Sequence, residues 1–218
     1  NWSGLEDNNS PFTDAEASWT VPFVQANSQV GGQYAMSTWP SVNVTGTSSY
    51  PIIQAGTEQD SYMPCVPCGQ EPNYYTWWEA YPLNSQKKIT NLTAAPGDSA
   101  FVHVRLAGGV ASYHIVVGGV GTSFNAPYTG LMSDGHTAWI DERTEEDLNG
   151  YCTYPFLSNF GSHSFTGMQA ATSAGWKDAY IYGSGYNIKM IDPLNSNTTM
   201  AYASELSTSS MNETWTNY

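Results

Sequence analysis

Three short segments carry side chains able to do acid–base chemistry in surroundings that would tune them. In Tyr75-Thr76-Trp77-Trp78-Glu79-Ala80-Tyr81-Pro82, period-two alternation puts Tyr75, Trp77, Glu79 and Tyr81 on one face. A carboxylate in an aromatic wall loses hydration, which raises its pKa, and aromatic walls on a sheet also build extended binding grooves. The plainer alternative is a buried aromatic stripe with Glu79 tied to backbone or a tyrosine hydroxyl. In Thr137-Ala138-Trp139-Ile140-Asp141-Glu142, alternation places Ala138, Ile140 and Glu142 on one face and Trp139 and Asp141 on the other. In Pro51-Ile52-Ile53-Gln54-Ala55-Gly56, Gln54 shares a face with Ile52 and Gly56, where an amide needs a partner. Taken singly, Gln54 also reads as satisfying a strand edge and Glu142 as a rim residue.

Other chemistries lack their signatures. There is no Gly-X-Ser-X-Gly elbow, no HExxH, no P-loop, no GxGxxG after a strand and no Asp-Thr/Ser-Gly triplet. His103, His114, His136 and His163 stand singly, which favours hydrogen-bonded structural histidines over a metal site. No metal and no cofactor is expected. Carboxylates and amides remain for acid–base work.

The elements that must position them read as β-strands. Runs rich in β-branched and aromatic residues cover 17–22, 33–39, 52–57, 74–81, 101–106, 112–117, 137–142, 162–170, 179–182, 187–191 and 200–206, separated by Gly, Pro, Asn and Ser clusters. In 101–106, Val102, Val104 and Leu106 alternate with His103 and Arg105, so one face is core and the other wet. Residues 142–148, the one helix-compatible stretch, are short and polar and read as a loop. These features predict an all-β protein, a jelly-roll, concanavalin-like sandwich of two large antiparallel sheets, forming one domain over 1–218.

Composition narrows the partners. Six Lys and Arg against nineteen Asp and Glu give a formal charge of −13, too few cations to hold nucleic acid phosphates or an anionic membrane. No run of 18 apolar residues and no signal-peptide pattern occurs, so the sequence reads as a mature, soluble protein. A monomer is expected. An acidic chain with few cations also suits acid surroundings, where its carboxylates neutralise. Sequons at Asn1, Asn8, Asn43, Asn91, Asn197 and Asn212 point to a secreted, extracellular protein with N-linked glycans. Cys65, Cys68 and Cys152 allow one disulfide, either a Cys65–Cys68 staple or one of them joined to Cys152.

Several segments together resemble one family. Asn1-Trp2-Ser3-Gly4, Ala17-Ser18-Trp19-Thr20-Val21-Pro22, Trp39, Gln54-Ala55-Gly56, Trp77-Trp78-Glu79-Ala80-Tyr81-Pro82, Ala138-Trp139-Ile140-Asp141-Glu142, and Pro155-Phe156 with Phe160-Gly161 resemble the eqolisins, the fungal glutamic peptidases, in order and spacing. The resemblance runs from residue 1 to about 170. It implies a two-sheet sandwich, secretion after loss of a prepropeptide, and an acid endopeptidase acting on proteins or peptides through a catalytic dyad. The Gln of the Gln-X-Gly motif and the Glu of the Trp-Ile-X-Glu motif carry over to Gln54 and Glu142. Trp39, Asn43, Glu58, Trp77, Glu79 and Tyr81 carry over as residues of the substrate site.

Departures from the family pattern accompany the matches. Trp39-Pro40-Ser41-Val42-Asn43 replaces Trp-Val-Gly-Ile-Asp, and the Asp after Gln-X-Gly appears as Glu58. Arg143 stands where an Asp commonly follows the catalytic Glu, and Ala80 replaces a Trp. Two other functions fit a β-sandwich with an aromatic wall. One is a glycoside hydrolase using Glu79 and Glu142 as its carboxylate pair. The other is a non-catalytic carbohydrate-binding sandwich, in which Trp and Tyr stack on sugar.

Overall fold

The computed structural model describes residues 1–9, 11–26, 32–44, 52–64, 69–129, 135–148, 151–153, 155–179, 185–193, 195–204 and 206–216, the side chains of 43, 44, 146–148, 151–153 and 196 excepted. In chain order the strands are β1 (Trp2–Asp7), β2 (Asp14–Thr20), β3 (Gln33–Ala35), β4 (Ser37–Val44), β5 (Ile52–Tyr62), β6 (Glu71–Tyr81), β7 (Asn84–Lys88), β8 (Ser99–Ala107), β9 (Val110–Val117) and β10 (Val120–Pro127). They continue with β11 (His136–Glu142), β12 (Glu146–Leu148), β13 (Tyr151–Thr153), β14 (Phe156–Leu157), β15 (Ser162–Thr172), β16 (Gly175–Asp178), β17 (Tyr186–Asp192), β18 (Asn195–Ser204) and β19 (Met211–Trp215). No helix occurs among the described residues.

Two antiparallel layers face each other. The first runs β17-β1-β11-β4-β5-β6-β7, with β3 beside β5 and β14 parallel to β3. The second runs β10-β9-β8-β2-β15-β19-β18-β17, with β16 beside β15. One strand joins both layers, because the start of β17 pairs with β1 and its later part with β18. Between the layers lies the main core, where Val42, Ile53, Ala55 and Trp139 of the first sheet meet Ala17, Val102, Val104, Tyr113 and Ile115 of the second. Burial of these apolar faces is the main drive to fold.

Turn chemistry closes the second sheet's meander. Gly108-Gly109 joins β8 to β9 and Gly118-Gly119 joins β9 to β10, with φ of 58°, 75°, 57° and 80°. Two successive positive φ values are what a two-residue hairpin turn requires and what side chains disfavour.

Some strand expectations change in the structure. The run 33–39 splits at Met36 into β3 and β4, and β4 continues to Val44. Residues 146–148, expected as loop, pair with 151–153. Strands β1, β7, β10, β13, β14, β16 and β19 have no counterpart in the sequence reading. The polar β7, Asn84-Ser85-Gln86-Lys87-Lys88, has no apolar alternation because it covers a sheet edge and buries almost nothing. Of the expected strand 179–182, Ala179 is a turn residue and the rest lies outside the described residues, as do Cys65, Cys68 and the side chain of Cys152.

Candidate active site

The first sheet has a second face, turned away from the main core. Trp39, Trp77, Ala138 and Ile140 cluster there with Trp2, Ile52, Tyr75 and Ile188 packed around them. Gln54, Glu79 and Glu142 belong to this same face. Direct ladder partners share a face, and the register sets Gln54 opposite both Ser41 and Glu79, and Glu142 opposite both Ser37 and Trp2. The strand order is thus Glu142 on β11, Trp39 on β4, Gln54 on β5 and Glu79 on β6.

Gln54 is 6% exposed and gives Nε2–H to Glu79 Oε2 at 2.5 Å. Its Oε1 is buried with no partner among the described residues, and so is the indole N–H of Trp77 two positions along β6 from Glu79. A buried acceptor and a buried donor left over on one face are groups that water or a ligand must satisfy. The other oxygen of Glu79 accepts the backbone N–H of Gln86 at 3.1 Å. Burial raises the Glu79 pKa, and the Gln54 and Gln86 donors hold that rise back.

Glu142 accepts the Trp39 indole N–H at 3.0 Å and the Asn1 carboxamide N–H at 2.8 Å. Burial pushes its pKa up to about 7; the neighbouring Trp2 and Trp39 indoles oppose the rise, while the charge of Glu79 adds to it. A carboxyl so placed keeps its proton through the acid range. Gln54 and Glu142 are not hydrogen-bonded to each other. Strand β4 lies between them, and their partners on it, Ser41 and Ser37, are four residues apart. A bridging water or substrate is needed to bring both to one reacting bond.

Trp39 fills the space between the two. It is fully buried and meets Trp2 edge-on, with ring centroids 5.1 Å apart. Its position depends on Gly56, since a Cβ there would stand 2.0 Å from the Thr38 carbonyl oxygen and 2.8 Å from Trp39 Cβ. The glycine of Gln-X-Gly is therefore a packing requirement of the β4–β5 pair.

Glu58 is 1% exposed and both its oxygens are taken, one by Thr144 at 2.6 Å and the other by the Gln86 carboxamide at 3.0 Å. It has no surface left for substrate and instead ties the loop after Glu142 to Gln86 of β7, whose backbone N–H in turn binds Glu79. Burial, then the charge of Asp60, raises its pKa well above the usual carboxylate range. Of the other residues expected to bind substrate, Tyr81 is exposed, Glu79 is half-buried, and Trp39 and Trp77 form the buried floor. The Asn43 side chain lies outside the described residues. Asn1, Thr144 and Gln86 take part here without having been expected; Asn1 stood in a recognised motif, whereas nothing in the polar run around Gln86 marked it.

The opposite face of the same strands carries a separate polar cluster. Asp141 accepts from Thr38 at 2.9 Å and pairs with His163 at 2.7 Å, all three being buried between the sheets. His103 pairs with Asp14, His136 with Glu6, and His114 with Ser123, so each histidine has a protein partner. Among the described residues no cluster of three or more His, Cys, Asp or Glu is placed to hold a metal.

The raised carboxyls set the pH dependence of stability. Glu16, Glu58, Glu79, Glu142 and Glu213 all lie above their ordinary values, burial being the largest cause for each. A group raised in the folded state binds more protons folded than unfolded, so its contribution is full below the unfolded pKa and is lost as pH rises through the folded one. For Glu142 that window runs from 4.5 to about 7, at most about 3 kcal/mol at 1.36 per pKa unit. Asp14, held low mainly by His103 against the desolvation of its site, works in the opposite direction at lower pH. Thermal unfolding is expected to show a higher Tm at pH 4.5 than at pH 8; a Tm that rises over this interval contradicts the assignment.

Comparison with known proteins supplies the family and the fold. The sequence model of the Peptidase A4 family matches residues 1–215. No curated protein sequence matches the chain significantly. Among solved structures, scytalido-glutamic peptidase with a transition state analog inhibitor is similar at 19% identity, covering 99% of this chain and 98% of that one, with a TM-score of 0.80. SCP-B, an eqolisin in complex with the tripeptide Ala-Ile-His, is similar at 19% identity, 99% and 98% coverage and a TM-score of 0.74. Aspergilloglutamic peptidase from Aspergillus niger is similar at 19% identity, 84% and 99% coverage and a TM-score of 0.68. At such identities the structural likeness establishes the fold, and the family match over nearly the whole chain establishes kinship. The chain belongs to the Peptidase A4 (eqolisin) family and is a glutamic-type endopeptidase.

Proposed function

We propose that this endopeptidase works in acid, outside the cell, and that Gln54 and Glu142 are its catalytic dyad. The observation that carries the reading is a carboxyl with a pKa near 7 on the same face as a buried carboxamide whose oxygen lacks a partner among the described residues. Exposed sequon asparagines at Asn91 and Asn197 support secretion with N-linked glycans.

Glu142 enters the cycle protonated. It passes its proton to the carbonyl oxygen of the scissile peptide as a water, oriented by Gln54 Oε1, adds to the carbonyl carbon. The carboxylate so formed takes the surplus proton from the added water and leaves a neutral gem-diol. Glu142 next protonates the amide nitrogen, the C–N bond breaks, and a diol hydroxyl returns its proton to the carboxylate as the new acid forms. One water is consumed, one acid and one amine leave, and Glu142 is again protonated. Gln54 Nε2 gives one hydrogen to Glu79, and its second is free to donate to the substrate oxygen as charge develops there.

The pH profile tests this. A denatured protein substrate, with pepstatin present to exclude aspartic-type contamination, should be hydrolysed in acid, with kcat/KM falling about tenfold per pH unit above the Glu142 pKa as the acid form disappears. A rate that climbs through neutrality would point to a different nucleophile or base.

The role of Glu79 separates a one-carboxyl cycle from one with two proton carriers. As an acceptor that orients Gln54 and, where it is ionised, a like charge that raises the Glu142 pKa, it supports the reaction without carrying a proton through it. Glu79→Gln should cost about one to two orders of magnitude in kcat, the value of a hydrogen bond to a charged group, and should lower the Glu142 pKa by removing a like charge. Complete loss of peptide hydrolysis would make Glu79 a second proton carrier beside Glu142.

A further inference from the structure

Lys88 brings a cation to the β7 side of the site face of this strongly acidic chain. Lys88, on edge strand β7, is the direct ladder partner of Trp77, so its side chain leaves the sheet on the same side as Trp77, Tyr75 and Glu79. It is exposed, and its Nζ sits 4.8 Å from the centroid of the Tyr75 ring. Among the described residues no carboxylate is within ion-pair distance of it, although acidic residues outnumber basic ones nineteen to six. The Trp77 indole N–H opposite it is buried without an acceptor among the described residues. An ammonium held over an aromatic ring keeps its place while its outer hydrogens stay available.

We propose that Lys88 forms a cationic subsite at the β7 end of the site face and makes the enzyme favour peptides with an acidic side chain at one position away from the cleaved bond. This rests on the reading that substrate lies across this face with its scissile bond between Gln54 and Glu142. The spacing sets the position. Lys88 is two strands from Gln54 and two residues along from the level of Glu79, roughly 12 Å in all, which an extended peptide spans with about three to four residues. An acidic partner there gains attraction in a region where the protein's other charges are mostly negative.

The test is a set of internally quenched ten-residue peptides of one neutral sequence, with Gln replaced by Glu at one position at a time on both sides of the cleaved bond. At pH 5.5 the peptide carboxylates are mostly ionised, while Glu142, with its pKa near 7, still holds its proton. The unsubstituted enzyme should show a kcat/KM higher by about threefold to fivefold for Glu over Gln at a position three or four residues from the cleaved bond, the usual worth of an exposed ion pair. Lys88→Ala should remove that preference, Lys88→Arg should keep it, and Lys88→Glu should turn it towards Lys-containing peptides, each variant's kcat/KM being read as a ratio to its own value for the Gln peptide. Added salt should reduce the preference. If every peptide is cleaved without a Glu preference, or the preference survives Lys88→Ala, the subsite is disproved and the peptidase reading stands. If no peptide is cleaved anywhere between pH 3 and 6, the underlying reading fails first, and the subsite with it.

Discussion

Glu142→Gln is expected to give a folded protein with peptidase activity reduced by at least about 10³-fold, the upper range for loss of a general acid and base. The substitution keeps shape and volume on β11 and leaves an oxygen for the Trp39 indole N–H, which is 3.0 Å from the carboxylate in the structure. It removes the exchangeable proton, and no neighbouring group stands ready to replace it, since Glu79 is engaged by Gln54 and Gln86. Stability supplies a second readout. In acid the native side chain is protonated, so the amide resembles it and the melting temperature should change little. At pH 8 the native carboxylate is ionised at a site whose burial disfavours charge, and the neutral variant should melt higher than the parent protein. Activity above a few per cent of the parent, measured on a denatured protein at pH 4, would remove Glu142 from the chemistry.

Gln54→Ala should lower kcat by about 10²- to 10³-fold with little change in KM, because its contact with the substrate oxygen strengthens only as charge develops in the transition state. The same substitution deprives Glu79 Oε2 of its donor and should raise the Glu79 pKa further, because the Gln54 hydrogen bond holds it down in the native protein. A rise in KM with kcat preserved would recast Gln54 as a residue that binds ground-state substrate. Steady-state kinetics on one defined peptide, with circular dichroism confirming the β fold, decides between these outcomes.

Which side chains share a face follows from period-two alternation alone, whereas the grouping of Gln54 with Glu142 as one site came from the resemblance of their motifs to the family's. The segments around Gln54, Glu79 and Glu142 are extended strands of one sheet, and side chains on neighbouring strands share a face whenever the ladder sets them opposite. Knowing which residues alternate therefore assigned Tyr75, Trp77, Glu79 and Tyr81 to one side, and Glu142 and Asp141 to opposite sides, as the structure has them. Amphipathic strands such as β8 and β9 were legible for the same reason, since burial of one face writes a pattern into the chain.

What tertiary structure decided is which strands lie side by side and which polar groups meet. Strand order and register are long-range properties: Gln54 meets Glu79 from 25 residues away, and Trp39 and Asn1 reach Glu142 from 103 and 141 residues away. No local pattern encodes such pairings, because hydrogen bonds between strands use backbone groups that every residue carries. Edge strands such as β7 bury little and so leave no hydrophobic signature, which hid both Gln86 and the placement of Lys88. The pKa of Glu142 was equally out of reach. A carboxyl at an ordinary 4.5 becomes one near 7 only when folding surrounds it with Trp2, Trp39 and the neighbouring strands, for desolvation belongs to the assembled site.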